Sequence, residues 1–229
     1  AVDAAGRVTG YSYNTAGKLT QMRVYAAAIS TSDFTYLNVK SLVVANATDD
    51  RVSTINYNGQ GLVGSTLDAG GVTTSFTYDS SGRTIKTVVG SGGSARTIRN
   101  YYTALGDLRF TVDAEGFVRR FDYDAEGRKT REVLWDTAIS VTDATTIGQV
   151  TTLTVGTWTD ARFEYDAAGR VSSSYDAMGT RTHYTYYGTG KLAGIYHAYG
   201  TNDLSLTYHG YDGAGRLADG QRRGRSLAR

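Results

Sequence analysis

The chain has no cysteine and no proline among its 229 residues. Without thiols it holds no disulfide framework, no thiolate zinc site and no cysteine nucleophile. The missing cysteine leaves the compartment open, because a large sheet protein can be secreted without disulfides. An excess of either charge is lacking too: 24 basic residues face 22 acidic ones, a formal net charge of +2. That balance gives no electrostatic footprint for nucleic acid or an anionic membrane. No run approaches the roughly 20 apolar residues needed to span a bilayer, so no direct membrane insertion is expected. Neither a Gly-x-Ser-x-Gly elbow nor a Gly-x-x-x-x-Gly-Lys phosphate loop occurs, and an enzyme reading has little to stand on. The opening residues, Ala1 to Gly6, show no initiator Met, basic n-region or apolar h-region and already lie inside a repeat. They are read as the start of a piece of a longer polypeptide whose targeting signals lie elsewhere.

What the chain has is glycine, 28 residues, and tyrosine, 18 residues. Both are organised by one sentence, Tyr-Asp-x-x-Gly-Arg, repeated from end to end. It reads Tyr13, Asn14, Gly17 and Lys18; then Tyr78, Asp79, Gly82 and Arg83; Tyr123, Asp124, Gly127 and Arg128; Tyr165, Asp166, Gly169 and Arg170; and Tyr211, Asp212, Gly215 and Arg216. Looser copies end at Gly6, Gly61, Gly71, Gly106, Gly116, Gly179 and Gly190, which makes twelve. Glycines placed by such a register are not flexible low-complexity sequence. A recurrence this regular governs the whole fold, so residues 1–229 are read as a single array.

Before each turn, aromatic and apolar residues alternate with polar ones, as in Phe121-Asp122-Tyr123 and Phe163-Glu164-Tyr165. Period two is a strand signal and sets both rings on one face. The Asp or Asn that follows bonds to backbone N–H groups two residues on, and the glycine accepts positive φ in a turn closed by a bulge. The expected architecture is therefore all-β: antiparallel hairpins in a meander, at least half strand. The tyrosines are expected to stack on one another across strands.

Two longer insertions interrupt the array, at about 25–54 and 133–162. Their first segments resemble each other, Tyr25-Ala26-Ala27-Ala28-Ile29-Ser30 against Trp135-Asp136-Thr137-Ala138-Ile139-Ser140. A short helix is expected in the first; in the second the β-branched run from Thr151 to Val155 favours extended chain without deciding it, so one or two short helical insertions are expected. Gly90 to Ser94 reads as a flexible hairpin tip.

Twelve registered copies of Tyr-Asp-x-x-Gly-Arg, sharpest from Gly116 to Arg128, resemble the YD repeat of the Rhs family. That family includes bacterial polymorphic toxins, the B and C components of Tc toxins, wall-associated proteins and teneurins. The resemblance implies a strip of β-hairpins that spirals into a hollow shell, secreted or at the bacterial cell surface. Its partners would be flanking YD repeats and a cargo or effector domain of the same polypeptide. The Asp-Pro-rich autoprotease motif of some relatives has no counterpart here, and Thr103 and Tyr187 replace the signature Asp in two turns.

His183, His197 and His209 are spaced without a carboxylate pattern, so no metal is assigned to them. Asp122 and Asp124 flank Tyr123 and suggest calcium, but Asp124 is explained by its turn and no Asp-x-Asp-x-Asp-Gly loop is present. The C-terminal Arg222, Arg223, Arg225 and Arg229 read as a solvated tail rather than an anion site. No cofactor, metal or catalytic residue is expected. The function expected is structural, that of a shell segment. An adhesion module binding cell-surface glycans through its Tyr rows is the alternative, and an enzyme built in the insertions is the remote third.

Overall fold

A computed structural model describes residues 1–224, and the side chains of residues 1–218. Sixteen antiparallel strands follow one another in the sheet in chain order, from β1 to β16, so each strand pairs with its neighbours in sequence. Two compact units divide the chain, Ala1–Arg99 and the part from Asn100 onward. In the first lie β1 (Thr9–Tyr13), β2 (Leu19–Val24), α1 (Tyr36–Leu42), β3 (Arg51–Tyr57), β4 (Val63–Leu67), β5 (Thr73–Tyr78) and β6 (Thr84–Val89). β7 (Arg96–Tyr102) spans the division. The second holds β8 (Leu108–Val112), β9 (Val118–Tyr123), β10 (Lys129–Trp135), α2 (Ile147–Leu153), β11 (Trp158–Tyr165), β12 (Val171–Tyr175), β13 (Arg181–Tyr186), β14 (Leu192–His197), β15 (Ser205–Tyr211) and β16 (Leu217–Gly224).

Strand accounts for somewhat less than half of the described residues, below the expected half. The reason is geometric. Strands here are five to eight residues long, and each turn takes nearly as many residues as the strand it ends. All twelve repeat glycines have positive φ, between 74° and 100°. Each donates its N–H to the carbonyl three residues earlier, as Gly127 does to Asp124 at 3.0 Å. A type I turn followed by a left-handed glycine matches its hairpin to the twist of the strands. The register shifts beside the signature tyrosines, for example between Asp122 and Tyr123's partners Arg131 and Lys129, are the resulting bulges.

The cluster of buried apolar residues lies in the second unit, and Val8 is buried in the first. Phe110, Val112, Val118, Val133 and Trp135 on one face of β8–β10 meet Val150 of α2, and Ile139, Val141 and Ile147 of the insertion pack against them. Helix α2 makes the second insertion helical as well, against the lean of its β-branched run. Thr146 and Gln149 form a capping box: the Thr146 hydroxyl accepts from the Gln149 N–H, and the Gln149 amide oxygen accepts from the Thr146 N–H at 2.8 Å. Capping and the burial of Val150 together outweigh the β-branched preference of Thr151 and Thr152.

The two units repeat one plan. Ile29 donates to the Gly6 carbonyl at 2.8 Å, and Ile139 donates to the Gly116 carbonyl at 2.9 Å. Each insertion is thereby tied to the turn one strand further back, at Gly6 and at Gly116. The connection from Gly90 folds as a 3-10 turn over Gly92–Ser94, with the Gly90 N–H bonded to the Thr73 carbonyl at 2.8 Å.

Candidate functional site

The signature residues assemble at one edge of each unit. Turns at Gly17, Gly61 and Gly82 close β1–β2, β3–β4 and β5–β6 at one edge of the first unit, while Gly71 closes β4–β5 at the other. In the second unit Gly127, Gly169, Gly190 and Gly215 share an edge, opposite Gly116 and Gly179.

Within a turn the Asp is a hub. Asp79 Oδ1 accepts from the N–H groups of Ser81 and Arg83, each at 2.9 Å, and its Oδ2 accepts from Arg83 Nε at 2.6 Å. Asp124 with Arg128, Asp166 with Arg170 and Asp212 with Arg216 repeat the pattern. Asn14 keeps the backbone bonds to Ala16 and Lys18. At the two departures, Thr103 uses its hydroxyl to accept from Asp107 N–H at 3.1 Å, and the Tyr187 turn stands on its backbone bonds to Lys191 and Gly190.

Between turns the Tyr and the Arg or Lys form a staple. Tyr57 donates its hydroxyl to the Leu19 carbonyl at 2.9 Å; Tyr78 to Val63, Tyr165 to Lys129 and Tyr186 to Val171, each at 2.7 Å. Every acceptor is the second residue after the glycine of the preceding turn on that edge. Lys18 lies over the Tyr57 ring at 5.2 Å, Arg128 over Tyr165 at 4.8 Å, Arg170 over Tyr186 at 4.3 Å and Lys191 over Tyr211 at 4.9 Å. Cations of the preceding turn thus cover these rings, while Tyr211 also meets Tyr187 edge-on at 6.1 Å, a ring contact of the kind expected from period. Lys18 and Lys191 also donate to the carbonyls of Gly61 and Gly215, at 2.5 and 2.6 Å. Tyr and Arg therefore join hairpin to hairpin, while Asp and Gly shape each turn.

A hydrogen bond of this kind contributes about 0.5–1.5 kcal/mol. Tyr186→Phe is expected to lose that amount, and Tyr13→Phe, at a ring 61% exposed on the first strand, close to none. Equal melting temperatures for these two variants would remove the staple.

The turn aspartates also set an acid limit. The backbone N–H of the following arginine, joined by its guanidinium, holds the carboxyls of Asp79 and Asp212 below the usual range; for Asp166 the Arg170 guanidinium leads. A depressed carboxylate adds stability that is fully present above the unfolded value of about 3.9 and is lost as pH falls through the folded value. The melting temperature is expected to be level from pH 7 to about 5 and to fall below about 4. A melting temperature independent of acid would contradict the hub.

The other candidates scatter. Asp122 is held by Arg109 and by Arg120, the latter at 3.1 Å, and Asp124 is spent in its turn. His183, His197 and His209 stand on three different strands, β13, β14 and β15. Among the described residues no three His, Asp or Glu gather into a group that could hold a metal. Buried Ser173 lies 3.4 Å from His183 Nδ1, but its hydroxyl accepts two bonds from Arg181, at 2.8 and 3.1 Å, which makes it an anchored acceptor. Arg222 and Arg223 pair with Thr207 and Leu206 in the backbone ladder, and Arg225 and Arg229 lie outside the described residues. Among the described residues no helix is long and apolar enough to cross a membrane, which leaves β-barrels unaddressed.

No family model matches the chain, and no curated protein matches its sequence. Solved structures match its fold. The crystal structure of TcdB2-TccC3-Cdc42 superposes on 93% of this chain with a TM-score of 0.67 at 15% identity. The Photorhabdus luminescens Tc holotoxin pore, with a substituted TccC3, superposes on 96% with a TM-score of 0.68 at 16% identity. TcdB2-TccC3-TEV covers 95% with a TM-score of 0.55 at 17% identity. The sheet has the fold of these Tc toxin proteins. This chain spans 11% of the length of the first two and 13% of the third.

Proposed function

We propose that this chain is a stretch of wall in a secreted Rhs-type shell, which encloses, displays or shields a toxin or other effector domain of the same polypeptide. The observation that carries this reading is the staple. Tyr57, Tyr78, Tyr165 and Tyr186, with Lys18, Arg128, Arg170 and Lys191, are committed to a neighbouring hairpin, so the repeat is a device for extending one sheet. The likeness to Tc toxin structures supports the same role. Flanking YD repeats and the cargo are its partners, and the chain carries out no reaction of its own. The alternative, glycan binding by Tyr rows, is less favoured because the rings of Tyr57, Tyr165, Tyr186 and Tyr211 are already covered by cations.

Limited proteolysis of the full polypeptide tests the role. A cargo domain inside an intact wall is expected to be cut far more slowly than the same domain alone. Turn variants that loosen the sheet are expected to restore cutting, and equal rates in wild type and free cargo would refute enclosure.

A further inference from the structure

The two insertions are relatives in sequence that end in different packing. From Thr35 and from Thr146 the chain reads Thr-x-x-Asn/Gln-Val-x-Ser/Thr-Leu, which sets Val39 where Val150 stands. Val150 is fully buried in its core. Helix α1 buries none of its residues, and Tyr36 and Leu37 are 75% and 76% exposed. Beside it lies an open groove of about 680 Å³, with Gly10, Tyr25, Phe34, Tyr36 and Val39 in its lining.

What covers α2 and is missing at α1 is one strand. β8 runs along β9, with Phe110 opposite Arg120 and Val112 opposite Val118. Beside β1 the matching ladder has begun: Val2 bridges to Val8, and Ala1 and Thr9 exchange two backbone bonds at 2.7 and 2.8 Å. One step further, the position equivalent to Phe110 falls opposite Gly10, at the groove. By alternation from Thr9, Tyr11 turns its own N–H and C=O to the same open edge.

We propose that this groove is filled by a β-strand of the same polypeptide, antiparallel to β1, with a large apolar side chain opposite Gly10. Its pattern is that of Leu108 to Val112, apolar at alternate positions. The Tyr25 ring already lies against the Gly10 face, its Cε2 3.3 Å from where a Cβ would stand, and a large apolar side chain opposite Gly10 would pack beside that ring and close the space beneath Val39. A second copy fits less well. Its β16 occupies the place of β8, since Leu217 follows Gly215 as Leu108 follows Gly106, yet Asp219 and Gln221 stand where Phe110 and Val112 do. Polar residues at those two positions do not match the Tyr25, Phe34 and Val39 part of a groove that also has Gln21, Arg23 and Lys40 in its lining. The proposal rests on the shell-wall reading for its source of the strand.

The test extends the full chain ahead of Ala1 with a copy of the Arg96 to Phe110 hairpin and follows amide hydrogen exchange. Exchange at Tyr11 and along α1 is expected to slow by at least about tenfold. The same extension carrying Phe110→Asp in the copy is expected to leave α1 unprotected. Equal protection by both extensions, or by neither, would overturn the proposed strand and leave the shell reading standing. Protection of Tyr11 that rises with concentration in the unextended chain would assign the groove to a second copy and also overturn it. Rapid digestion of cargo in the full polypeptide would sink the shell reading without touching this result.

Discussion

Phe110→Ala is expected to destabilise the second unit by about 3–5 kcal/mol, the range for emptying a buried aromatic site. Phe110 is nearly inaccessible and packs with Val112, Val118, Val133, Trp135 and Val150. Loss of its ring opens a cavity between the sheet and α2. A helix of seven residues does not hold itself in water, so α2 depends on that contact and is expected to lose order first. Urea unfolding followed through tryptophan fluorescence would show an earlier midpoint, since Trp135 lies in the same cluster. Leu105→Ala, at a side chain 91% exposed, is the control and is expected to stay within about 0.5 kcal/mol of wild type. Equal midpoints for the two variants would mean that the cluster is not a core.

A graded series at the turns is expected in the order Gly116→Val, Gly127→Val, Glu126→Ala, from most to least costly. Gly127 has φ +77° and nothing within 4 Å of an added Cβ, so valine there meets conformational strain alone, about 1–3 kcal/mol. Gly116 has φ +92°, and its added Cβ would also run into the backbone carbonyl of Ile139. That clash displaces the insertion, whose Ile139 N–H is bonded to the Gly116 carbonyl. Glu126 contributes an exposed ion pair to Arg128 at 3.1 Å, a kind of pair that is worth about 0–1 kcal/mol. Thermal melts of the three variants read the order directly. If Gly127→Val melted with Glu126→Ala, the turn geometry would be wrong.

The turns were legible in the sequence because their chemistry is local. Asp79, Gly82 and Arg83 lie within five residues of one another, and a left-handed glycine with an Asp hub specifies one turn whatever surrounds it. The staple was not legible. Tyr57 reaches Leu19 and Tyr165 reaches Lys129 across entire insertions, and periodicity alone suggested that tyrosine would stack on tyrosine. Helix α1 forms in the first insertion without a side-chain cap at Thr35, while in the second the Thr146-x-x-Gln149 box outweighs the β-branched residues that follow it. Phe110 and Val150 carried no mark of their shared core, because nothing in the sequence shows that the second insertion folds back onto the strands before it.

The proposed role of this chain is wall rather than cargo or adhesin. A cryo-electron microscopy map of the full polypeptide tests it most directly. Sixteen consecutive strands of this chain are expected in the wall of a hollow body, with signature tyrosines bridging successive hairpins and a separate domain enclosed. A map in which these strands form a solid stalk with no cavity, or a separate domain presented to solvent beside enclosed repeats, would contradict it.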